Sequence, residues 1–377
     1  MLILKNQISS LGGLEKQTLF LCRYLLKQGH EVTLLTTEPD HKHPLPNLPE
    51  KLKVHFFKRR RLPHFLQLLD YSRQVKKYLK AHPEETLVLG LDKSSSQNYL
   101  RLGNGLHKVF LKRRWQSAPF YKKISFFFDP RHYAILFLEK KALSYPALKR
   151  VVVNSTMVFQ ELVENYAFDP QKISLALNGV EWQNYQKPFE NSFIQKAAEL
   201  QRLQLPEKAH HFLFIGNGFE RKGLKLLLQA LALLKTSSWH LSVVGQDKKA
   251  ASYHQLARKL GLRPKVSFFG HQANTLAFYS IADTFVLPTY YDPFANTTLE
   301  ALAMGLFTVT SAFNGGCEVI SPKNGRVLEK MQPAELAKLI EEALFYPKTK
   351  TSAQAIRESI RALEMEKQLQ KIIDLLK

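Results

Sequence analysis

The feature that most constrains this chain is a twice-repeated alternation of short apolar runs with longer amphipathic stretches. Leu2–Lys5, Glu31–Thr36, Val54–Phe57, Thr86–Leu91 and Arg150–Asn154 read as strands, with helical periodicity between them in Leu14–Lys27 and Leu62–Lys80. The pattern restarts at Phe212–Ile215, Leu241–Val244, Val266–Phe269, Thr284–Leu287 and Phe307–Thr310. Repeated strand–helix–strand units make parallel sheets, because each crossover helix covers a sheet face. Two such series in 377 residues predict an α/β chain of two Rossmann-like, doubly wound domains facing each other across a cleft. The polar stretch 178–188, with Gly179, marks the join. It gives a first domain of residues 1–180 and a second of 181–351, followed by a helical tail, 352–377.

Charge narrows the partners. The formal net charge is +22, and residues 1–180 carry 29 Lys and Arg against 14 Asp and Glu. Within 101–150 the imbalance is 12 to 2, which calls for an anionic partner. Nucleic acid is disfavoured, since no stacking motif or recognised binding module is present. No apolar run approaches the roughly 18–20 residues of a membrane span. Residues 108–131 instead interleave cations with rings, as in Leu111-Lys-Arg-Arg-Trp, Phe120-Tyr-Lys-Lys and Arg131-His-Tyr. That composition suits an anionic membrane interface; its bland alternative is a core of Phe126 to Phe128 with a solvated basic rim. Cys22 and Cys317 match no metal spacing and imply no disulfide framework, so a reducing cytosol is expected.

The chemistry concentrates where strands end. Tyr290-Tyr-Asp-Pro-Phe-Ala-Asn-Thr-Thr-Leu-Glu follows an apolar strand and opens a helix near Ala295 or Asn296. Asp292 then lies in the loop, and Glu300 about one turn inside the helix. N–H groups at Asn296, Thr297 and Thr298 are expected to face the loop with Phe294 and Ala295, and a helix N-terminus favours phosphate. A carboxylate one turn further in can accept from paired sugar hydroxyls, so the layout suits a nucleotide-sugar. Phe212-Leu-Phe-Ile-Gly-Asn-Gly-Phe-Glu-Arg-Lys-Gly adds a strand and a Gly-rich loop. Gly216 there allows close backbone approach, and Arg221 and Lys222, at the start of the next helix, can reach a diphosphate. Gly245, in Val244-Gly-Gln-Asp, marks another strand end facing the nucleotide.

In the first half, Ser9-Ser-Leu-Gly-Gly-Leu-Glu brings Gly12 and Gly13 to the first strand end, where backbone N–H groups can approach phosphate of the donor, or the acceptor. It lacks the Gly-x-Gly-x-x-Gly of a nicotinamide-binding turn, which argues against an oxidoreductase. Gly90-Leu-Asp-Lys contributes Lys93, and Tyr99-Leu-Arg-Leu-Gly-Asn-Gly-Leu-His-Lys contributes Asn104 and His107.

Together these segments resemble the retaining GT-B glycosyltransferases of family 4. The matching stretches are the acidic pair eight apart, the Arg221-Lys222 clamp, the Gly12-Gly13 loop and the turn at Asn314-Gly-Gly-Cys-Glu. Arg101-Leu-Gly-Asn-Gly-Leu-His is similar to the members that build the lipopolysaccharide core, especially those adding glucose to heptose. Three departures stand out: Asp292 where the family usually has Glu, Asn104 where it has Asp, and one residue rather than two between Gly316 and Glu318. The resemblance implies a UDP-sugar donor, held by the second domain, and a glycolipid acceptor near Lys93 and Asn104. It places His107 beside the reacting carbon and Asp292 against the donor sugar as the catalytic pair. It also implies that tail 352–377 packs back on the first domain, and that the enzyme works at the cytoplasmic face of the inner membrane. The sequence contains no Asp-x-Asp motif. Phosphate charge is therefore expected to fall to Arg221, Lys222 and helix N-termini, with no required metal or other cofactor.

Overall fold

Each apolar series forms a parallel sheet. The computed structural model describes residues 1–8, 13–39, 45–84, 87–117, 128–236 and 238–376, and it divides into two units. The first comprises Met1–Leu177 and Gln368–Lys377, the second Asn178–Lys367.

In the first unit the elements run β1 (Leu2–Leu4), α1 (Gly13–Lys27), β2 (Thr33–Thr37), β3 (Lys53–Phe57), α2 (His64–Ala81), β4 (Val88–Gly90) and β5 (Tyr99–Leu102). They continue with α3 (His107–Ser117), α4 (Pro130–Leu143), β6 (Arg150–Val153), α5 (Thr156–Tyr166) and β7 (Ile173–Leu175). The sheet order is β3-β2-β1-β4-β5-β6-β7. Leu2, Leu4, Leu35 and Val88 from adjacent strands share a core with Val75 of α2. Strands covered on both faces are mostly apolar, which is why apolar runs located β1, β2 and β6.

The second unit contains α6 (Trp182–Arg202), β8 (His210–Ile215), α7 (Phe219–Lys222), α8 (Leu224–Leu231), β9 (Trp239–Val244), α9 (Ala250–Lys259) and β10 (Val266–Gly270). It continues with α10 (Leu276–Ile281), β11 (Thr284–Leu287), α11 (Asn296–Ala303), β12 (Phe307–Ser311), β13 (Gly325–Leu328), α12 (Pro333–Ala343) and α13 (Lys350–Glu358). Its sheet order is β10-β9-β8-β11-β12-β13. The last helix, α14 (Met365–Asp374), carries the chain from the second unit back to the first.

The domain boundaries differ from expectation at both crossings. The first falls at Asn178, and only Gln368 onward, not the whole of 352–377, rejoins the first unit. The cause is Arg357 on α13. It is fully buried, its guanidinium lies 4.0 Å from the Trp182 ring centre, and it donates to Trp182 O at 3.1 Å and Gln186 Oε1 at 2.9 Å. A buried cation satisfied by α6 ties α13 to the second unit. The final helix then meets α1 through Tyr24 OH, which donates to Gln370 Oε1 at 2.9 Å.

Candidate active site

The second sheet reverses its order between β8 and β11, where open parallel sheets take ligands beyond their strand ends. Gly216-Asn217-Gly218 leaves β8 and leads into the single turn α7, which carries Arg221 and Lys222. The two cations do not open the longer helix, as expected from sequence. Gly223, with φ 82°, breaks the chain between α7 and α8.

Two glycines make this corner possible. A Cβ on Gly216 would lie 3.1 Å from Lys222 Cγ, so glycine leaves room for the lysine stem. Gly245 has φ 128°, and a Cβ there would meet Gly216 O at 2.2 Å. Beside it, Asp247 accepts from Phe219 N and Lys249 N, each at 2.7 Å, and so fixes the start of α7.

Asp292, in the loop after β11, is buried against both cations. Its Oδ2 accepts from Arg221 Nη1 and from Lys222 Nζ, each at 2.7 Å, and Arg221 also donates to Tyr291 O at 2.9 Å. Burial opposes charge on Asp292, but Lys222 and Arg221 outweigh it and bring the pKa down to about 2. Burial lowers the Lys222 pKa, and Asp292 works against that fall. With all three groups ionised the cluster keeps one net positive charge.

The same loop delivers α11. Its N-cap, Ala295, supplies no side-chain acceptor. Thr298 N, expected to face the loop, donates instead to Ala295 O at 3.0 Å. Thr297 Oγ1 is buried without a hydrogen-bond partner, which fits a polar ligand seated on this first turn. Glu300, one turn on, accepts from Tyr279 OH at 2.8 Å.

Two asparagines that the sequence reading passed over hold this loop in shape. Asn314 Oδ1 accepts from Ala295 N and Gly316 N, while its Nδ2 donates to Thr298 Oγ1 and Thr310 Oγ1, all within 2.9–3.0 Å. Asn178 Nδ2 donates to Asn296 Oδ1 at 2.8 Å and Phe294 O at 3.3 Å. Asn314 was visible only as part of a glycine turn, and Asn178 only as part of the join.

A second cluster lies in the first unit and centres on Glu139, which had no sequence signal. Glu139, fully buried on α4, accepts from His107 N at 2.6 Å, Lys108 N at 3.1 Å and Tyr166 OH at 2.5 Å, and it pairs with Lys93. Its carboxylate thus caps α3 from a different helix. Burial opposes its charge, yet Lys93 and the donors hold its pKa below the ordinary value. His107 Nε2 lies 3.0 Å from His132 Nδ1. Burial first, then Lys93 and His132, push the His107 pKa down to about 4, so the ring is neutral near pH 7.

The remaining assignments divide. Lys93, expected at the acceptor, directs its ammonium at Glu139. Asn104 is exposed in the turn before α3. Gly13 begins α1, whereas Gly12 lies outside the described residues. The catalytic assignments, His107 and Asp292, belong to different units. Along 108–131, Lys112, Arg114, Trp115 and Phe128 are exposed, but Arg113 pairs with Glu161 at 2.8 Å. Residues 118–127 lie outside the described residues.

Known proteins resemble this chain in sequence and fold. Residues 11–183 match the family model Glycosyltransferase Family 4, and residues 195–369 match Glycosyl transferases group 1. The chain is 25% identical over 342 residues to the lipopolysaccharide glucosyltransferase WaaG of Escherichia coli K12, covering 88% of this chain and 86% of WaaG. It is 31% identical to the lipopolysaccharide core biosynthesis glycosyltransferase LpsE of Rhizobium meliloti, over 32% of this chain and 34% of LpsE. Among solved structures, WaaG superposes with a TM-score of 0.81 at 21% identity, covering 100% of this chain and 99% of WaaG. Anabaena Alr3699/HepE, solved with UDP-glucose, superposes at 0.72 with 16% identity, over 100% of this chain and 98% of that protein. With one family model on each parallel-sheet unit, the chain belongs to the GT-B glycosyltransferases of family 4.

Proposed function

We propose that this enzyme is a retaining hexosyltransferase that moves glucose from UDP-glucose to a lipopolysaccharide core or related glycolipid acceptor. The observation that carries the reading is the cluster of Asp292, Arg221 and Lys222 beside the uncapped start of α11. Its net positive charge, the orphaned Thr297 hydroxyl and the helix N-terminus are complementary to a diphosphate. The similarity to WaaG supports the acceptor class, and Alr3699/HepE with UDP-glucose supports the donor class.

In this mechanism Arg221, Lys222 and the α11 N-terminus stabilise the charge that develops on the departing diphosphate. Glu300 holds the donor ribose, and Asp292 orients the sugar hydroxyls. The acceptor attacks the face that the phosphate leaves, which retains configuration at the oxocarbenium-like carbon. Its proton goes to the departing phosphate oxygen, with neutral His107 assisting. The phosphate charge is met by protein groups, so no divalent metal is required. The enzyme acts at the cytoplasmic face of the inner membrane, where the acceptor lipid is anchored.

The test is transfer from UDP-glucose, UDP-galactose and GDP-mannose to a lipid-linked core acceptor, with and without EDTA. The product is examined by proton NMR at the new anomeric centre. UDP-glucose is expected to give an α-linked product whose rate EDTA leaves unchanged. A β-linked product, a GDP-mannose preference or recovery only on adding Mg²⁺ would contradict the corresponding part.

A further inference from the structure

A small cavity, open to solvent, lies beyond the C-terminal ends of β1, β2 and β3 in the first unit. Its wall includes Gln7, Lys58, Arg59, Arg60 and His64. From β2 to β5 is three strand spacings, about 14 Å at roughly 4.8 Å each. The cavity and His107, which follows β5, therefore share one edge of the first sheet, far enough apart for different parts of an extended glycan.

The cavity is rich in donors. β3 ends at Phe57 and runs directly into Lys58-Arg59-Arg60-Arg61. Among the described residues that line it Asp70 is the one acid, and it is already engaged. It accepts from Gln74 Nε2 at 2.7 Å and faces Arg60 at 3.5 Å. The basic turn is held in place through its backbone: Arg59 N donates to Glu38 Oε2 at 3.1 Å, and Lys58 O accepts from Gln74 Nε2 at 3.3 Å. Gln7 Nε2 is buried without a hydrogen-bond partner. Helix α2 opens at this wall with Pro63 as its N-cap, so no side chain caps it.

A buried amide donor, a basic turn and an uncapped helix N-terminus line one cavity. They match a group with several oxygens and more than one negative charge. A phosphate monoester offers three such oxygens, whereas a carboxylate offers two and carries half the charge.

We propose that this cavity binds a phosphate group carried by the acceptor glycan, and so selects phosphorylated acceptors. The inference rests on the reading that the first unit holds a glycan acceptor. None of the residues that line the cavity is His107 or a residue assigned to the donor.

The test is calorimetry on the full chain with three probes: delipidated phosphorylated core oligosaccharide, the same oligosaccharide stripped of phosphate, and inorganic phosphate. The variant is Lys58→Gln with Arg60→Gln, both at exposed positions, with Gln7→Leu measured separately. The wild type is expected to bind the phosphorylated oligosaccharide at least ten times more tightly than the stripped one. The double variant should lose most of that difference, and Gln7→Leu part of it. Equal wild-type affinity for both oligosaccharides, or a preference that survives the double variant, would overturn the proposal. So would inorganic phosphate binding as tightly as the phosphorylated oligosaccharide, which would mark a site for the free ion. Phosphate-dependent binding with no glucose transfer to either oligosaccharide would support the cavity while counting against the proposed reaction. Transfer indifferent to phosphate would do the reverse.

Discussion

Lys222 is the residue on which the proposed donor site turns, because it is the most buried cation there and its stem fills the space that Gly216 leaves. A hydrogen bond to a charged group contributes roughly 1.5–3 kcal/mol, or about ten- to a hundred-fold in Kd. Lys222→Ala is therefore expected to weaken UDP binding by that factor in calorimetry, and Glu300→Ala to weaken it separately through the ribose. Unchanged UDP affinity in both variants would remove these residues from the donor site. His107 gives a pH prediction. Its folded pKa, about 4, lies below the ordinary value of 6.5, so the unfolded chain binds more protons between them. The contribution is fully present above pH 6.5 and is lost as pH falls toward 4. In urea titrations, wild-type stability should fall more steeply across that window than that of His107→Gln. Identical slopes would show that the ring titrates normally. The sequence pointed to Lys222, Asp292 and His107 because strand ends and helix starts are marked by residue type. It gave no sign of Glu139, whose partners come from three other segments.

At the scale of elements, the strands most easily read were those with unbroken apolar runs, such as Thr284–Leu287, which matches β11 end to end. β5 escaped separate notice because Arg101 interrupts its apolar run, although that arginine is buried. β7 escaped as well, because Ser174 interrupts its apolar pair. The start of α3 is an element whose stability depends on another helix. Lys93, His107 N, Lys108 N and Tyr166 all converge on Glu139. Removing one partner of a buried pair typically costs about 3–5 kcal/mol, since the other charge stays buried. Glu139→Ala is thus expected to destabilise the first unit by about that amount in chemical denaturation, and Glu139→Gln by less, since an amide can still accept from the α3 backbone. A loss below about 1 kcal/mol for Glu139→Ala would mean that solvent reaches Lys93 and replaces the cap. Because the carboxylate sets the start of α3, a folded Glu139→Gln variant should lower turnover while leaving UDP affinity unchanged.

For the molecule as a whole, the basic excess of residues 101–150 needs a surface to act on. Among the described residues no helix is long and apolar enough to cross a membrane. The most exposed rings of this stretch lie instead at the start and along the side of α4: Phe128 is 79% exposed, Tyr133 54% and Phe137 51%. Tyr133, Phe137 and Lys140 or Lys141 follow helical spacing, so they form one stripe. Lys141 Nζ sits 4.4 Å from the Phe137 ring centre, which keeps a cation beside an exposed apolar face. Rings of this kind enter the headgroup layer while flanking cations meet anionic lipid, each contributing about 1 kcal/mol near such a surface. The expected docking face therefore extends past residue 131 along α4, and it excludes Arg113, whose charge is taken by Glu161. Since the attraction is partly Coulombic, binding should require anionic lipid and weaken as salt rises. Replacing Lys112, Arg114, Lys140 and Lys141 by Gln should release the chain from anionic liposomes in co-sedimentation. Tyr133→Ser with Phe137→Ser should weaken binding with less dependence on salt. Equal sedimentation with neutral and anionic vesicles, or binding untouched by both sets, would show that this face is not the one that meets the bilayer.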